Sequence, residues 1–392
     1  MRVSRHLTLR LNLLRSHVQK RKMAIVATSS INPHSCPAAW SHYPKTYVVP
    51  KVSTPLIDRI DGNLEKDVWS LAPWSDAFDD IRGAHDAPPS ERPGSACETR
   101  VKMLWDDQYL YIGALLHSDM TTVATFTERN DPIYQQDSDF EVFVDPLGSC
   151  HNYKEFEVNA INTVWNLMLD RPYNDGGQEH SGRIAKPGDE LYYDVQRQKS
   201  AAKVVDGALN DPTRGAKWSV EIAMAYSDLL SKVKGTPPKA GSRWRINFSR
   251  VEKKGIINWT WQPQIAWDPE EHRYRGFVNM HLPDAWGYLV FADPTTGDRQ
   301  DIASDSLWPV RFALINVYYS QHEYRRLNGL YADSLEKLRP LMDSEVVDCF
   351  EIDLELKKDY TAFSASIGQD GTTAIVRDDR SIEIVANQGS TE

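Results

Sequence analysis

From Tyr47 to about Asp293, apolar and polar residues alternate in short segments broken by turn residues, the period of half-buried strands. Val101, Met103 and Trp105 alternate with other residues, Asp106-Asp107-Gln108 turns the chain, and Leu110, Ile112 and Ala114 alternate again, which predicts a hairpin. Phe140, Val142 and Val144 interleave with Glu141, Phe143 and Asp145 before the turn Asp145-Pro146-Leu147-Gly148. Phe156, Val158 and Ala160 interleave with Glu155, Glu157 and Asn159, and the triplets Trp218/Val220/Ile222 and Trp244/Ile246/Phe248 repeat the pattern. Each such strand has one apolar face to bury. Two sheets packed face to face are the natural solution, with a barrel as the rival.

Beyond Asp293 the period changes. Trp308, Phe312, Ile315, Tyr319 and His322 form one helical stripe that should stop at Asn328-Gly329. Asp333-Ser334-Leu335-Glu336 has the form of a capping box and predicts a second short helix ended by Pro340. Apolar segments from Phe350, Phe363, Ala374 and Ile382 follow, separated by Gln369-Asp370-Gly371 and Asp378-Asp379 turns. The chain therefore divides into an extension over 1–45, a mainly β antiparallel sandwich over 46–293 and a small α+β module over 303–392.

At 392 residues, with 41% hydrophobic and 26% charged side chains, the composition is globular. No run approaches the ~18 apolar residues of a membrane span. The net charge is −10, yet the first 57 residues hold nine Lys/Arg and no acid, so the remainder carries −19. That balance argues against nucleic acid as a partner. Leu7, Leu11, Leu14 and Val18 share a helical face within the basic start, which resembles an organellar transit segment; the other reading is an extension ahead of a working start at Met23 in a cytoplasmic protein. Either is favoured over secretion. Cys36, Cys97, Cys150 and Cys349 are far apart without metal-ligand spacing and are expected to be reduced thiols.

Ile60-Asp61-Gly62-Asn63-Leu64-Glu65-Lys66-Asp67-Val68-Trp69 resembles the opening of family 9 carbohydrate-binding modules. Val101 to Ala114, Asp137 to Pro146, Trp218 to Ala223, Trp244 to Arg250 and Trp286 to Phe291 fit the family's further blocks in order. The resemblance implies a DOMON-like β-sandwich that binds a sugar chain end without cleaving it, as an accessory to carbohydrate catabolism. A sugar ring offers an apolar C–H face and a rim of hydroxyls, so an aromatic platform with carboxylates or amides beside it suits it. The family pattern points to Tyr134 as one platform, although Trp is usual there, and to Trp259 or Trp261 as the other. Glu141, Glu157 and Asn159 would hold hydroxyls, with Arg250 and Gln262 in secondary roles and Trp165 as a further platform. The competing expectations are plain solvation for the two glutamates and core packing for the tryptophans.

Two other functions stay open at this stage. Glu141 and Glu157 on adjacent strands could serve as the carboxylate pair of a glycoside hydrolase. Some DOMON-like proteins bind haem, and Met103, Met168, His117 and His151 are the residues of suitable type. No cofactor is required for sugar binding. Calcium is carried by some family members, and Asp76, Asp79 and Asp80, or Asp137 and Asp139, would supply oxygen ligands if they are not simply solvated.

Overall fold

The computed structural model describes residues 36–293 and 304–387; the basic, transit-like start and Met23 lie outside them. The large sheet runs β1 (Thr46–Pro50), β15 (Gly287–Ala292), β11 (Arg243–Glu252), β5 (Asp139–Asp145), β6 (Tyr153–Asn159), β7 (Val164–Leu169) and β8 (Glu179–His180). Two further strands, β12 (Ile257–Thr260) and β2 (Asp79–Asp80), extend from β11. All its pairs are antiparallel except β1 with β15. The small sheet runs β3 (Thr99–Trp105), β4 (Tyr109–Leu116), β10 (Ala216–Ala225) and β9 (Lys199–Gly207). A separate hairpin joins β13 (Ile265–Asp268) to β14 (Arg273–Gly276).

The alternating residues meet between the two sheets. Val101, Met103, Leu110, Ile112, Val220 and Ile222 face Phe140, Val142, Phe156, Val158, Ile246 and Phe248 in one core. The outer face of the small sheet is also covered. Trp69 and Leu56 pack there on Leu104, Tyr111 and Ala223. Glu221 anchors this cover: its carboxylate accepts from the Asp61 and Gly62 amides at 2.9 and 3.1 Å, from Trp69 Nε1 at 2.9 Å and from Lys66 at 2.6 Å. The opening motif and the Trp218–Ala223 block are thus two halves of one hydrogen-bonded unit. Gly62 turns at φ +80°, a conformation that favours glycine.

After residue 304 a helix, Trp308–Asn328, lies against a meander of β16 (Asp353–Leu356), β17 (Phe363–Gln369), β18 (Thr372–Arg377) and β19 (Ile382–Ala386). Gly329 ends the helix at φ +83°, its amide donating to Arg325 O. The helix is buried on more than its predicted stripe because the sandwich packs against it as well. The capping box does not form: Ser334 precedes the short helix and Asp333 pairs with Lys337 instead.

Two expectations are corrected at this junction. Residues 36–43, assigned to the extension, contribute Ala39, Trp40 and Tyr43 to the core of the α+β module. Cys36 and Cys349 are not reduced thiols but form a disulfide, leaving Cys97 and Cys150 free and buried. Arg380 completes the junction. It is buried between Asp175 and Asp284 at 2.8 and 2.9 Å and also donates to the Tyr318 and Tyr319 hydroxyls.

Candidate functional site

The positions of β5, β6 and β7 that alternate with the core residues point off the far side of the large sheet. Glu141 stands opposite Glu157, Asp139 opposite Asn159, and Phe143 opposite Glu155; Trp165 lies across from Glu157 on the other side. Ser249 of β11 faces Glu141. This face is roofed by Ile81, Phe126, Ile133, Met280 and Trp286, which join Phe143, Tyr153, Trp165, Leu167 and Leu169 in a second apolar cluster. Roofing changes the acids' environment. Asp139 is 0% exposed, Glu141 5%, Glu157 2% and Glu155 7%.

Four carboxyl groups in a shared buried patch resist ionisation, because burial disfavours charge and each neighbour repels the next. Burial, then Glu155, push Glu141 up to about 8, with the Ser249 hydroxyl pulling the other way. Burial, with Glu179 adding to it, pushes Glu155 up to about 7, against a hydrogen bond with Glu157 that lowers it. Asp139 and Glu157 are driven well above the usual range, by burial first and then chiefly by Glu141. One Asp139 oxygen accepts from the Val251 amide at 3.2 Å; its other oxygen, Glu157 Oε2 and Trp165 Nε1 are buried without a hydrogen-bond partner.

Above the acids is a more open rim. Tyr134, on a single turn over Ile133–Gln135, meets Trp165 edge to face at 5.6 Å. The Arg183 guanidinium lies over the Trp165 ring at 5.1 Å and pairs with Glu179. Tyr173 is 46% exposed. Its ring stands edge-on to His281 at 4.7 Å, and its hydroxyl is held protonated by burial and by the fields of Glu155 and Glu179. His281 accepts from or donates to Tyr153 Oη at 2.9 Å and is pushed down to about 4 by burial, so it is neutral at pH 7.

Of the residues proposed from sequence, Tyr134, Glu141, Glu157, Asn159 and Trp165 lie on this face. Asn159 and the other four serve the fold. Arg250 is on the opposite parity and fully buried, paired with Glu252 at 2.6 Å and donating to Thr99, Cys97 O and His117 O. Trp259 and Trp261 are core residues at 4% and 2% exposure, which leaves neither a ring face for a ligand. Gln262 accepts from the Lys45 amide. Asn159 donates to Asp137, whose carboxylate also accepts from the Thr125 and Phe126 amides. Asn159 and Asp137 thereby hold the loop that carries Tyr134. Asp79 is engaged by Arg92 and Asp80 by Arg82, so neither belongs to a calcium cluster with Asp76. Among the described residues, the metal-capable gathering is Asp139, Glu141 and Glu157.

Glu155, Tyr173, Glu179 and Arg183 were not anticipated. Glu155 was accessible to the alternation rule, two residues before Glu157 on the same face. Nothing in the local sequence ties Tyr173, Glu179 or Arg183 to strands that precede them.

Comparison with known proteins adds one further observation. Residues 60–187 match the family model described as carbohydrate family 9 binding domain-like. The match takes in every acid of this face and all of its rings except His281 and Trp286. No curated protein sequence matches the chain. Among solved structures, a family 9 carbohydrate-binding module from Caldicellulosiruptor kristjanssonii in complex with cellotriose overlaps 64% of this chain and 94% of its own, at 16% identity and a TM-score of 0.38. The complex of such a module from the same organism with glucose gives 64%, 96%, 16% and 0.37. A protein from Bacteroides uniformis described as carbohydrate-binding gives 63%, 99%, 15% and 0.43. These overlaps are too loose to transfer a residue. The likeness to family 9 modules rests on the 60–187 match, about a third of the chain, and on the ordered motifs within it.

Proposed function

We propose that the sandwich binds carbohydrate without cleaving it, at the rim formed by Tyr134, Tyr173, Glu179 and Arg183 above the carboxyl patch. The observation that carries this reading is the family 9-like match over residues 60–187, the stretch that supplies these side chains. The chemistry supports it. An exposed tyrosine ring offers an apolar platform for a C–H face while its hydroxyl stays in reach of water. Glu179 and Arg183 supply acceptors and donors for hydroxyls at the rim. The hydrolase reading is disfavoured by burial: Glu141 and Glu157 are 5% and 2% exposed beneath the apolar roof, where a glycosidic bond does not reach them. Met103 and Met168, the haem candidates, are packed between the sheets.

Calorimetric titration with a panel of mono- and oligosaccharides tests the proposal. Tyr134→Ala and Tyr173→Ala should each weaken binding by about tenfold, the equivalent of roughly 1.4 kcal/mol. Unchanged affinity in both variants, or no binding across the panel, refutes it.

A further inference from the structure

At the other end of β11, away from the carboxyl patch, Arg243 and Arg245 share the parity of Ser249 and so project from the same side of the large sheet. The helix Trp308–Asn328 packs there and brings Trp308, Arg311 and Phe312 to them. Between sheet and helix is a cavity of ≈ 220 Å³ that the three arginines line together with Tyr288, Asp284 and Asp305. Two of the guanidinium groups are largely unused as donors, although each arginine carries five N–H groups and keeps its charge. Arg245, 6% exposed, lies over the Tyr288 ring at 4.4 Å and donates from Nη2 to the Asp284 carbonyl at 2.6 Å. It makes no ion pair among the described residues, and its Nε is buried without a hydrogen-bond partner. Arg311 donates from Nη1 to Gly148 O at 3.0 Å; its Nε stands 3.5 Å from Asp305 and is likewise buried without a hydrogen bond. The neighbouring carboxylates are engaged elsewhere. Asp284 accepts from Arg380 and the Tyr319 hydroxyl, and Asp305 from the Tyr288 hydroxyl and the Leu307 amide. Asp145, opposite Arg245 across the strand pair, accepts from the Leu147 and Cys150 amides. Other buried arginines of this protein do meet a carboxylate: Arg250 meets Glu252, and Arg380 meets Asp175 and Asp284. Buried donors are rarely left as those of Arg245 are.

We propose that Arg245 and Arg311 bind a small oxyanion, a carboxylate or phosphate group, in the cavity between the sandwich and the long helix. The guanidinium fork presents parallel N–H donors that match two oxygens of one such group. Tyr288, Trp308 and Phe312 wall the cavity with rings, and limited water strengthens a charge-assisted hydrogen bond. Three arginines line it against two aspartates, of which Asp284 is already paired with Arg380, so the lining favours negative charge. The volume falls short of the roughly 300 Å³ at which pockets for drug-sized ligands begin, which points to a compact molecule. Arg243, Arg245, Tyr288, Trp308 and Arg311 all lie beyond residues 60–187, so the site is separate from the sugar rim and is completed by the α+β module.

The test titrates the full chain with inorganic phosphate and, separately, with acetate, each at constant ionic strength with chloride as the control. Tryptophan fluorescence, to which Trp308 and Trp244 in the cavity wall contribute, should change in one saturable phase with at least one of the two anions and not with chloride. The anion that saturates tells whether the group recognised is a phosphate or a carboxylate. At a hundredfold over its dissociation constant it should raise Tm by roughly 5 °C. Arg245→Met and Arg311→Gln should each lose at least tenfold in affinity, whereas Arg129→Gln, which alters a surface arginine paired with Asp194, keeps it. Arg311 is partly exposed on the helix, so its variant decides the matter even if Arg245→Met fails to fold. Absence of a saturable phase with either anion across the millimolar range, an equal response to chloride, or undiminished affinity in Arg311→Gln overturns the proposal. No sugar enters these measurements, so failure of the carbohydrate reading would leave the result standing.

Discussion

Glu141→Gln removes one ionisable carboxyl from the patch while keeping its shape. In the folded protein burial and Glu155 push Glu141 from 4.5 up to about 8. The folded state therefore retains a proton that the unfolded chain releases, and stability falls as pH rises from about 4.5 through about 8, with no further loss above. At 1.36 kcal/mol for each pH unit of displacement, the ceiling is roughly 5 kcal/mol. Glu155, Glu157 and Asp139 share the same protons, so the part removed with Glu141 alone should be about 2–4 kcal/mol. Two other groups tilt the profile the opposite way. His281, lowered to about 4, favours stability that grows between about pH 4 and 6.5, and Lys154, lowered to about 7, does so from about 7 to 10.5. Both are present in parent and variant and cancel in the difference. Urea unfolding of both proteins in chelator at pH 5, 6.5 and 8 is the assay. The variant should gain about 2–4 kcal/mol on the parent between the first and last conditions. A difference that does not change with pH, or one of the opposite sign, would refute the account of the patch.

Arg380→Met should lower stability by about 3–5 kcal/mol, since it strands Asp175 and Asp284 in the junction; thermal unfolding of the two proteins reads it directly. Cys349→Ser should cost about 2–5 kcal/mol, and reductant should impose the same loss on the parent while leaving the variant unmoved. Gly287→Ala should cost about 1–3 kcal/mol in denaturant titration, because a methyl group there would overlap the Trp261 ring and approach the Lys45 carbonyl to 2.9 Å.

Much of the sandwich was legible because alternation is a local property. The hairpin at Asp106-Asp107-Gln108 and the inward faces of β5, β6, β10 and β11 follow from a period of two, and Trp105, Trp218 and Trp244 are buried as that period implies. The long helix ends at Gly329 as its stripe and glycine suggest. The misreadings have a common cause. Trp259 or Trp261 was expected at a ligand site because the family pattern calls for a late aromatic platform, but a pattern along the chain does not say whether a strand has one wet face or none. The disulfide joins residues 313 apart in sequence, a separation at which local pattern is silent.

The sequence by itself determined which side chains share a face within each strand, Asp139 with Glu141 and Glu155 with Glu157, because strand geometry sends alternate residues to one side. Only the tertiary structure decided what that face is. The loops bearing Ile133 and Tyr134, Tyr173 and Arg183, together with the segment carrying Met280 and Trp286, fold over it and exclude water. A carboxylate in water is a commonplace surface charge, whereas the same group under an apolar roof either holds its proton or requires a cation. The chemistry of this site comes from that roof, built by residues distant in sequence from the strands they cover.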